Sequence, residues 1–201
     1  MNKFPSKVAF RDSICNVIRR DLISGKIGFD EPIREQKLAS RFGTSRGPVR
    51  DALMQLTQEG ILVYKPNKGV RVNSALTDEE RSVVVAMRLE LETYCIKKFI
   101  NQASETDFVN IRLLLERLKT ACNEASLPEV AESDLALHRY WVAQASPHLE
   151  STWLGLSIRM IMKYTRLENF KESIGEHHRI VEAITNRNIT KSIYYLGENI
   201  I

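Results

Sequence analysis

Several features that would set this chain apart from ordinary globular proteins are missing from its sequence. It has three cysteines, Cys15, Cys95 and Cys122, in 201 residues, and none of them forms a C-x-x-C pair. This favours reduced thiols over a disulfide framework. No apolar run approaches the roughly 20 residues that span a bilayer, and the first residues lack the apolar stretch of a signal peptide. We therefore expect a cytoplasmic protein with no membrane partner.

The charge of the chain is distributed unevenly. The net charge is +4, but residues 1–75 hold 14 Lys and Arg against 7 Asp and Glu. Residues 76–201 hold the other 15 basic residues against 18 acidic ones. A basic front half suits contact with a polyanion such as DNA. An uneven solvated surface explains the same numbers equally well, so the sequence pattern has to decide.

The front half has the pattern of three helices followed by a β-hairpin. Apolar spacing predicts a helix over Ala9–Ile23 and a short one over Arg34–Arg41. Thr44 or Ser45 can cap a third helix, which Gly60 ends. Two β-prone runs, 61–64 and 70–72, flank a turn. This order of elements predicts a winged helix-turn-helix over residues 1–75.

The rear half shows only helical patterns. Thr77 and Glu80 form a capping box that opens a long helix to about Ile100. Five further helical stretches are predicted: 104–123, 128–145, 149–167, 172–187 and 189–200. The predicted fold is therefore mostly α: a winged helix-turn-helix of residues 1–75 joined to an all-α bundle of residues 76–201.

One segment of the front half carries a specific family resemblance. Residues 38–53 read LASRFGTSRGPVRDAL, followed by Leu56, by Glu59-Gly60 and by the sequence KGVRV at 68–72. They resemble the pattern LA-x-x-x-G-[VT]-S-R-x-P-V-R-[ED]-A-L of the GntR family of bacterial regulators. The resemblance covers about residues 9–73 and implies that the third helix reads a DNA operator.

The expected DNA contacts follow from the positions of polar side chains in this segment. Arg46 lies at the N-terminus of the recognition helix, where free N–H groups attract phosphate. Arg50 follows one turn later and can form two hydrogen bonds with guanine. A merely solvated role for these arginines is the alternative. The predicted DNA-binding residues are Gln36, which stands where many family members have arginine, Thr44, Ser45, Arg46, Arg50, Lys68 and Gly69.

The rear half resembles a second family module. The segments RLELE at 88–92, DLALH at 134–138 and EHHRIVEAI at 176–184 are similar to motifs of the FCD effector domain of FadR-like GntR regulators. The resemblance implies a helical domain that binds an effector and forms dimers.

Two of these segments contain residues suited to a metal. Asp134 and His138 are four residues apart, so they share one face of a helix. With His177 they can bind a divalent ion such as Zn, Ni or Mn. A surface ion pair is the alternative for Asp134 and His138. In the family a histidine on the last helix is the fourth ligand, and Asn199 occupies that position here.

The family pocket holds a small organic acid, often through the metal, or a larger acyl ligand. Arg88 or Arg159 would suit its carboxylate. These features predict a ligand-responsive regulator that binds a palindromic operator as a homodimer. The sequence offers no catalytic residue set, so we expect no enzyme. Two alternatives stay open: a metal-dependent helical hydrolase tethered to DNA, and a DNA-binding dimer whose rear domain senses nothing.

Overall fold

The chain divides into two units, and the described residues of the first form three helices and a small antiparallel sheet. The computed structural model describes residues 7–163 and 170–200, and the units are Met1–Ala75 and Leu76–Ile201. The elements of the first unit are α1 Lys7–Ile23, α2 Glu35–Phe42, α3 Arg46–Gln58, β1 Leu62–Lys65 and β2 Gly69–Val72.

The core of this unit lies between α1 and α3. Ile14 and Ile18 of α1 and Leu53 and Leu56 of α3 are each at most 2% exposed, because their helical spacing puts them on the facing sides of the two helices. Beside this core, Arg19 Nη2 donates to both carboxylate oxygens of Glu59 at 2.6 and 2.7 Å. The core holds α3 in place and leaves its opposite face open.

A three-residue turn joins α2 to α3. Gly43 ends α2 with a φ of 59°, a left-handed conformation that favours glycine. Ser45 is the N-cap of α3, but its side chain makes no capping hydrogen bond. Ser45 therefore holds one of the two predicted N-cap positions without supplying a side-chain cap. With no side-chain cap, the first N–H groups of α3 stay available to another acceptor.

The wing is a short hairpin. Its register pairs Leu62 with Val72 at the base and Lys65 with Gly69 at the tip. Both base residues are almost fully buried, whereas the turn residues 66–68 are exposed. The hairpin is thus anchored at its base and presents its tip to solvent. This confirms the winged helix-turn-helix.

The described residues of the second unit form six helices. They are α4 Asp78–Gln102, α5 Glu105–Asn123, α6 Leu127–Ala145, α7 Pro147–Lys163, α8 Phe170–Thr185 and α9 Ile189–Ile200. Helix α6 packs against α4, α5 and α7, and α8 packs against α5 and α9. Trp141 of α6 and Trp153 of α7 are fully buried. The all-α fold predicted for this half is confirmed.

Polar side chains mark where two of these helices begin. Thr77 and Glu80 form the predicted capping box of α4, and Ser104 and Asp107 form a second box at α5. Pro128 lies within the first turn of α6, where a missing N–H costs no intrahelical bond. Of the predicted helix 149–167, residues 164–167 lie outside the described residues. None of the described helices has the length and apolar content needed to cross a membrane.

Candidate nucleic-acid interface and metal centre

The predicted DNA-contact residues lie in the turn, at the start of α3, on α2 and in the wing. Gln36, Ser45, Arg46, Arg50 and Lys68 are exposed, and the remaining two, Thr44 and Gly69, are half-exposed. Their side chains are therefore free of the core, as a nucleic-acid contact requires.

Both arginines of the recognition helix α3 contact the first residues of α2. Arg50 donates from Nε and Nη2 to the two carboxylate oxygens of Glu35, at 3.1 and 3.0 Å. Arg46 Nη2 donates to Gln36 Oε1 at 3.3 Å. The hydrogen bond from Arg50 lowers the pKa of Glu35. The Arg50 guanidinium is thus held in one orientation although it is exposed.

The tip of the wing is shaped by backbone conformation. Lys68 N donates to Lys65 O at 3.0 Å, and Gly69 has a φ of 72°, which glycine adopts without strain. Lys65 Nζ pairs with Asp30 at 3.0 Å. Since Lys65 is engaged by Asp30, the exposed Lys68 is the better placed of the two lysines for a phosphate.

In the second unit, α6 and α8 bring Asp134, His138 and His177 together. One ligand atom from each residue lies within 4.8 Å of the others. His177 Nε2 is 2.8 Å from Asp134 Oδ1 and 3.2 Å from His138 Nε2. Both rings are buried, whereas the Asp134 side chain is 22% exposed. Two imidazole nitrogens and a carboxylate oxygen converging on one point are a donor set that fits Zn, Ni or Mn.

The far nitrogen of each imidazole is occupied. His138 Nδ1 is 2.7 Å from Glu92 Oε2, and His177 Nδ1 is 2.7 Å from the backbone oxygen of Ser173. Both acceptors need a proton on Nδ1. Each ring therefore turns Nε2 toward the shared point, and a ring that is neutral in this tautomer has its lone pair there, as ligating histidines do.

The charges of the three residues support one another. Burial by itself raises the pKa of Asp134, but the hydrogen bond from His177 and the charges of His138, His177 and Arg88 outweigh it, so the pKa is lowered. For His177, burial lowers the pKa, but the hydrogen bond and the charge of Asp134 have a larger effect in the opposite direction, so the pKa is raised. Asp134 is therefore ionised, and His177 Nε2–H donates to it.

The other predicted residues of this domain lie around the cluster or beyond it. Asn199 on α9 donates from Nδ2 to Glu176 Oε2 at 3.0 Å. Glu176 is the residue before His177, so this hydrogen bond joins α9 to the part of α8 that carries His177. Arg88 is buried and donates from Nε to Glu92 Oε1 at 2.7 Å. Arg159 is half-buried, and its Nε has no hydrogen-bond partner among the described residues.

Two carboxylates of the sites were not singled out from sequence. Glu35 has no sequence signal beyond its position at the start of α2. Glu92 had one: it lies four residues after Arg88 on the apolar face of α4, together with Cys95, Ile96 and Phe99. An acidic residue on a face that is otherwise buried has to pair with donors.

Two family comparisons agree with this architecture. Residues 10–72 match the family described as "Bacterial regulatory proteins, gntR family", and residues 83–192 match the FCD domain. The chain belongs to the GntR family of bacterial regulatory proteins and carries an FCD domain, which confirms the resemblance found in the sequence.

Known regulators are similar over nearly the whole chain. The gluconate operon transcriptional repressor of Bacillus subtilis is 24% identical, over 98% of this chain and 84% of the repressor. The transcriptional repressor GlaR of Escherichia coli is 25% identical, over 92% of this chain and 89% of GlaR. Both relatives are transcriptional repressors.

Solved structures share the fold. Escherichia coli McbR/YncC has a TM-score of 0.81 at 18% identity and covers 95% of this chain and 93% of its own. A GntR regulator from Rhodococcus has a TM-score of 0.73 at 16% identity, over 94% of this chain and 93% of its own.

Proposed function

We propose that this chain is a ligand-responsive regulator, not an enzyme, that binds a palindromic DNA operator as a homodimer and senses a small organic acid in a metal-containing pocket. The observation that carries the proposal is the presence of an exposed recognition helix in one unit and of an Asp-His-His cluster with two buried imidazoles in the other. The family membership of the chain supports both halves.

DNA binding is supported by the surface of α3 and the wing. Arg46 and Arg50 are exposed, the N-terminal amides of α3 have no side-chain cap, and Lys68 is exposed at the wing tip. These groups offer phosphate contacts that position the protein and a guanidinium that can read a base. Gln36, Thr44, Ser45 and Gly69 complete the proposed contact surface.

The metal pocket is supported by the geometry of Asp134, His138 and His177. Three protein ligands leave coordination positions for a fourth residue, assigned here to Asn199, and for an effector. A bound divalent ion would supply Lewis acidity toward a carboxylate. We assign Arg88 and Arg159 to the same carboxylate as charge partners. The donors suit Zn, Ni or Mn, and we propose a divalent ion of this group.

Homodimer formation is supported by an exposed apolar stripe on α4. Val83, Met87 and Tyr94 are 56%, 51% and 51% exposed, and their spacing puts them on one face of the helix. Glu79 and Lys98 extend this face at opposite ends. Antiparallel packing of two α4 helices would set Tyr94 against Val83 of the second copy and Lys98 against its Glu79. A two-fold dimer also matches a palindromic operator.

The proposed binding to a DNA operator is tested by in vitro selection of binding sites. The protein is expected to enrich a two-fold symmetric sequence and to bind it more tightly than scrambled DNA. The Arg46→Ala/Arg50→Ala variant should lose this preference. Failure of the wild-type protein to enrich any sequence would contradict the DNA-binding proposal.

The proposed metal binding is tested by elemental analysis of purified protein. About one divalent ion per chain is expected in the wild-type protein, in line with a single three-ligand site. The ion should be lost in Asp134→Ala/His138→Ala. His178→Ala is the matched control, because His178 lies next to His177 on α8 but is exposed and pairs with Glu182. Wild-type protein without metal after exposure to Zn²⁺ would contradict the proposed metal binding.

A further inference from the structure

The carboxylate of Glu92 is fully buried in the helical unit and is surrounded by N–H donors. Its side chain is 0% exposed. Oε1 accepts from Arg88 Nε at 2.7 Å and from Trp153 Nε1 at 2.6 Å. Oε2 accepts from His138 Nδ1 at 2.7 Å and from Trp141 Nε1 at 3.3 Å. These contacts link α4 to both α6 and α7.

A buried carboxylate is a costly way to fill a core position. Removing a charge from water is costly, and paired neighbours offset that cost only with good geometry. An apolar residue would pack the same space without that cost. The position is therefore better explained by what the carboxylate does to its neighbours than by stability.

Its effect on His138 is specific. Arg88 Nη2 also lies 3.3 Å from His138 Nδ1, but a guanidinium can only donate. The proton on Nδ1 therefore points to Glu92, at the shorter distance. With Nδ1 protonated, the lone pair of Nε2 is free and faces Asp134 and His177. The opposite tautomer would put a proton on Nε2 and block ligation.

We propose that Glu92 is a positioning residue of the metal centre, which holds His138 in the Nδ1–H tautomer and in the orientation that lets Nε2 bind the ion. The inference rests on the proposed metal pocket and adds a residue outside its ligand set. It also gives Arg88 a second role, as the cation that balances the buried charge of Glu92. His177 needs no such carboxylate, because the Ser173 carbonyl fixes its Nδ1.

The test compares Zn²⁺ affinity of the full chain in three forms by competition with a chromophoric chelator. Glu92→Gln keeps the side-chain size but removes the charge and replaces one acceptor with a donor. Its affinity is expected to fall about 10- to 100-fold, as when outer-shell partners of a metal-bound histidine are lost. Trp153→Phe is the matched control, because it removes a hydrogen bond to Oε1 of the same buried carboxylate and leaves Oε2 with His138. Its loss should stay below about tenfold.

A second measurement keeps the inference testable if Glu92→Gln does not fold. Long-range ¹H–¹⁵N spectra of metal-free wild-type protein report which ring nitrogen of His138 carries hydrogen. Protonated Nδ1 is expected, and a neutral ring with hydrogen on Nε2 alone would overturn the proposal.

The outcomes separate the two claims. Wild-type protein that binds no Zn²⁺ overturns both the pocket and the role of Glu92. Wild-type protein that binds, together with a folded Glu92→Gln of unchanged affinity, overturns the role of Glu92 alone. Equal losses in Glu92→Gln and Trp153→Phe would mean that Glu92 only maintains the core, which also overturns the positioning role.

Discussion

Two carboxylates hold side chains to which we assign a role in binding. Glu35 fixes the Arg50 guanidinium through two hydrogen bonds, and Glu92 fixes the His138 ring through one. In each case the carboxylate binds one side of the group, and Nη1 of Arg50 and Nε2 of His138 make no bond to it. Orientation before binding lowers the conformational entropy that a flexible side chain would otherwise lose.

At the DNA surface, Arg50 and Lys68 are expected to contribute differently. Arg50→Ala should weaken binding to the selected operator by about 1–3 kcal/mol and relax discrimination at one base position. Lys68→Ala should weaken binding to all sequences alike and reduce the salt slope by about 1. Fluorescence anisotropy over a range of salt concentrations measures both effects. Arg112→Ala, an exposed arginine of α5, is the control, and a loss as large in this variant would contradict the assignment.

The metal pocket should also respond to pH. The raised pKa of His177 keeps Nε2 protonated to a higher pH than an ordinary histidine, and that proton has to leave before a metal binds. Zn²⁺ affinity is therefore expected to fall as the pH is lowered, beginning above pH 6.5. In metal-free protein the same group stabilises the fold fully below pH 6.5, and this stability is lost as the pH rises through the folded pKa.

Calorimetry tests the proton that a metal would displace. At pH 7, Zn²⁺ binding should release protons, so the observed heat should differ between buffers of different ionisation enthalpy. The same heat in every buffer would show that His177 is already deprotonated.

At the level of elements, α4 combines three functions in one helix of 25 residues. A capping box fixes its start, one face carries Arg88 and Glu92 into the core, and another face exposes Val83, Met87 and Tyr94. The helix and its cap were predictable from local sequence, because periodicity and the Thr77–Glu80 pair are local signals.

The partners of Glu92 were not predictable in the same way. His138 and Trp153 lie 46 and 61 residues further along the chain, and only the packing of α4 on α6 and α7 brings them together. The grouping of Asp134 and His138 follows from one helical turn, whereas the approach of His177 was inferred from family motifs. Similarly, the contact of Glu35 on α2 with Arg50 on α3 depends on how the two helices pack, which the spacing of residues in the sequence does not predict.

The exposed face of α4 gives a prediction about assembly. Met87→Glu/Tyr94→Glu should shift the protein from dimer to monomer, because it buries like charges at the two-fold interface. Sedimentation equilibrium measures the mass, and circular dichroism checks that the helices remain. Leu113→Glu is the control, since Leu113 is 63% exposed on α5, away from this stripe. A monomeric wild-type protein, or a dimeric double variant, would contradict the assignment of the interface.

At the level of the whole molecule, residues 73–77, between β2 and α4, join the DNA-binding unit to the helical unit. Helix α4 follows this connection directly, and its Glu92 contacts His138, which we propose as a metal ligand. A change in pocket occupancy that moves α4 therefore has a short covalent route to the DNA-binding unit. Such coupling between two sites is typically about 1–3 kcal/mol, which corresponds to about 5- to 150-fold in affinity.

Operator affinity as a function of pocket occupancy tests the central claim most directly. Anisotropy titrations would compare chelator-treated protein, Zn²⁺-loaded protein, and Zn²⁺-loaded protein with gluconate, malate or citrate. We predict that at least one occupied state changes the operator Kd by about fivefold or more, and that Asp134→Ala/His138→Ala abolishes the change while its affinity for the operator persists. A wild-type Kd that is the same in every state would contradict the account and leave a DNA-binding dimer that senses none of these ligands.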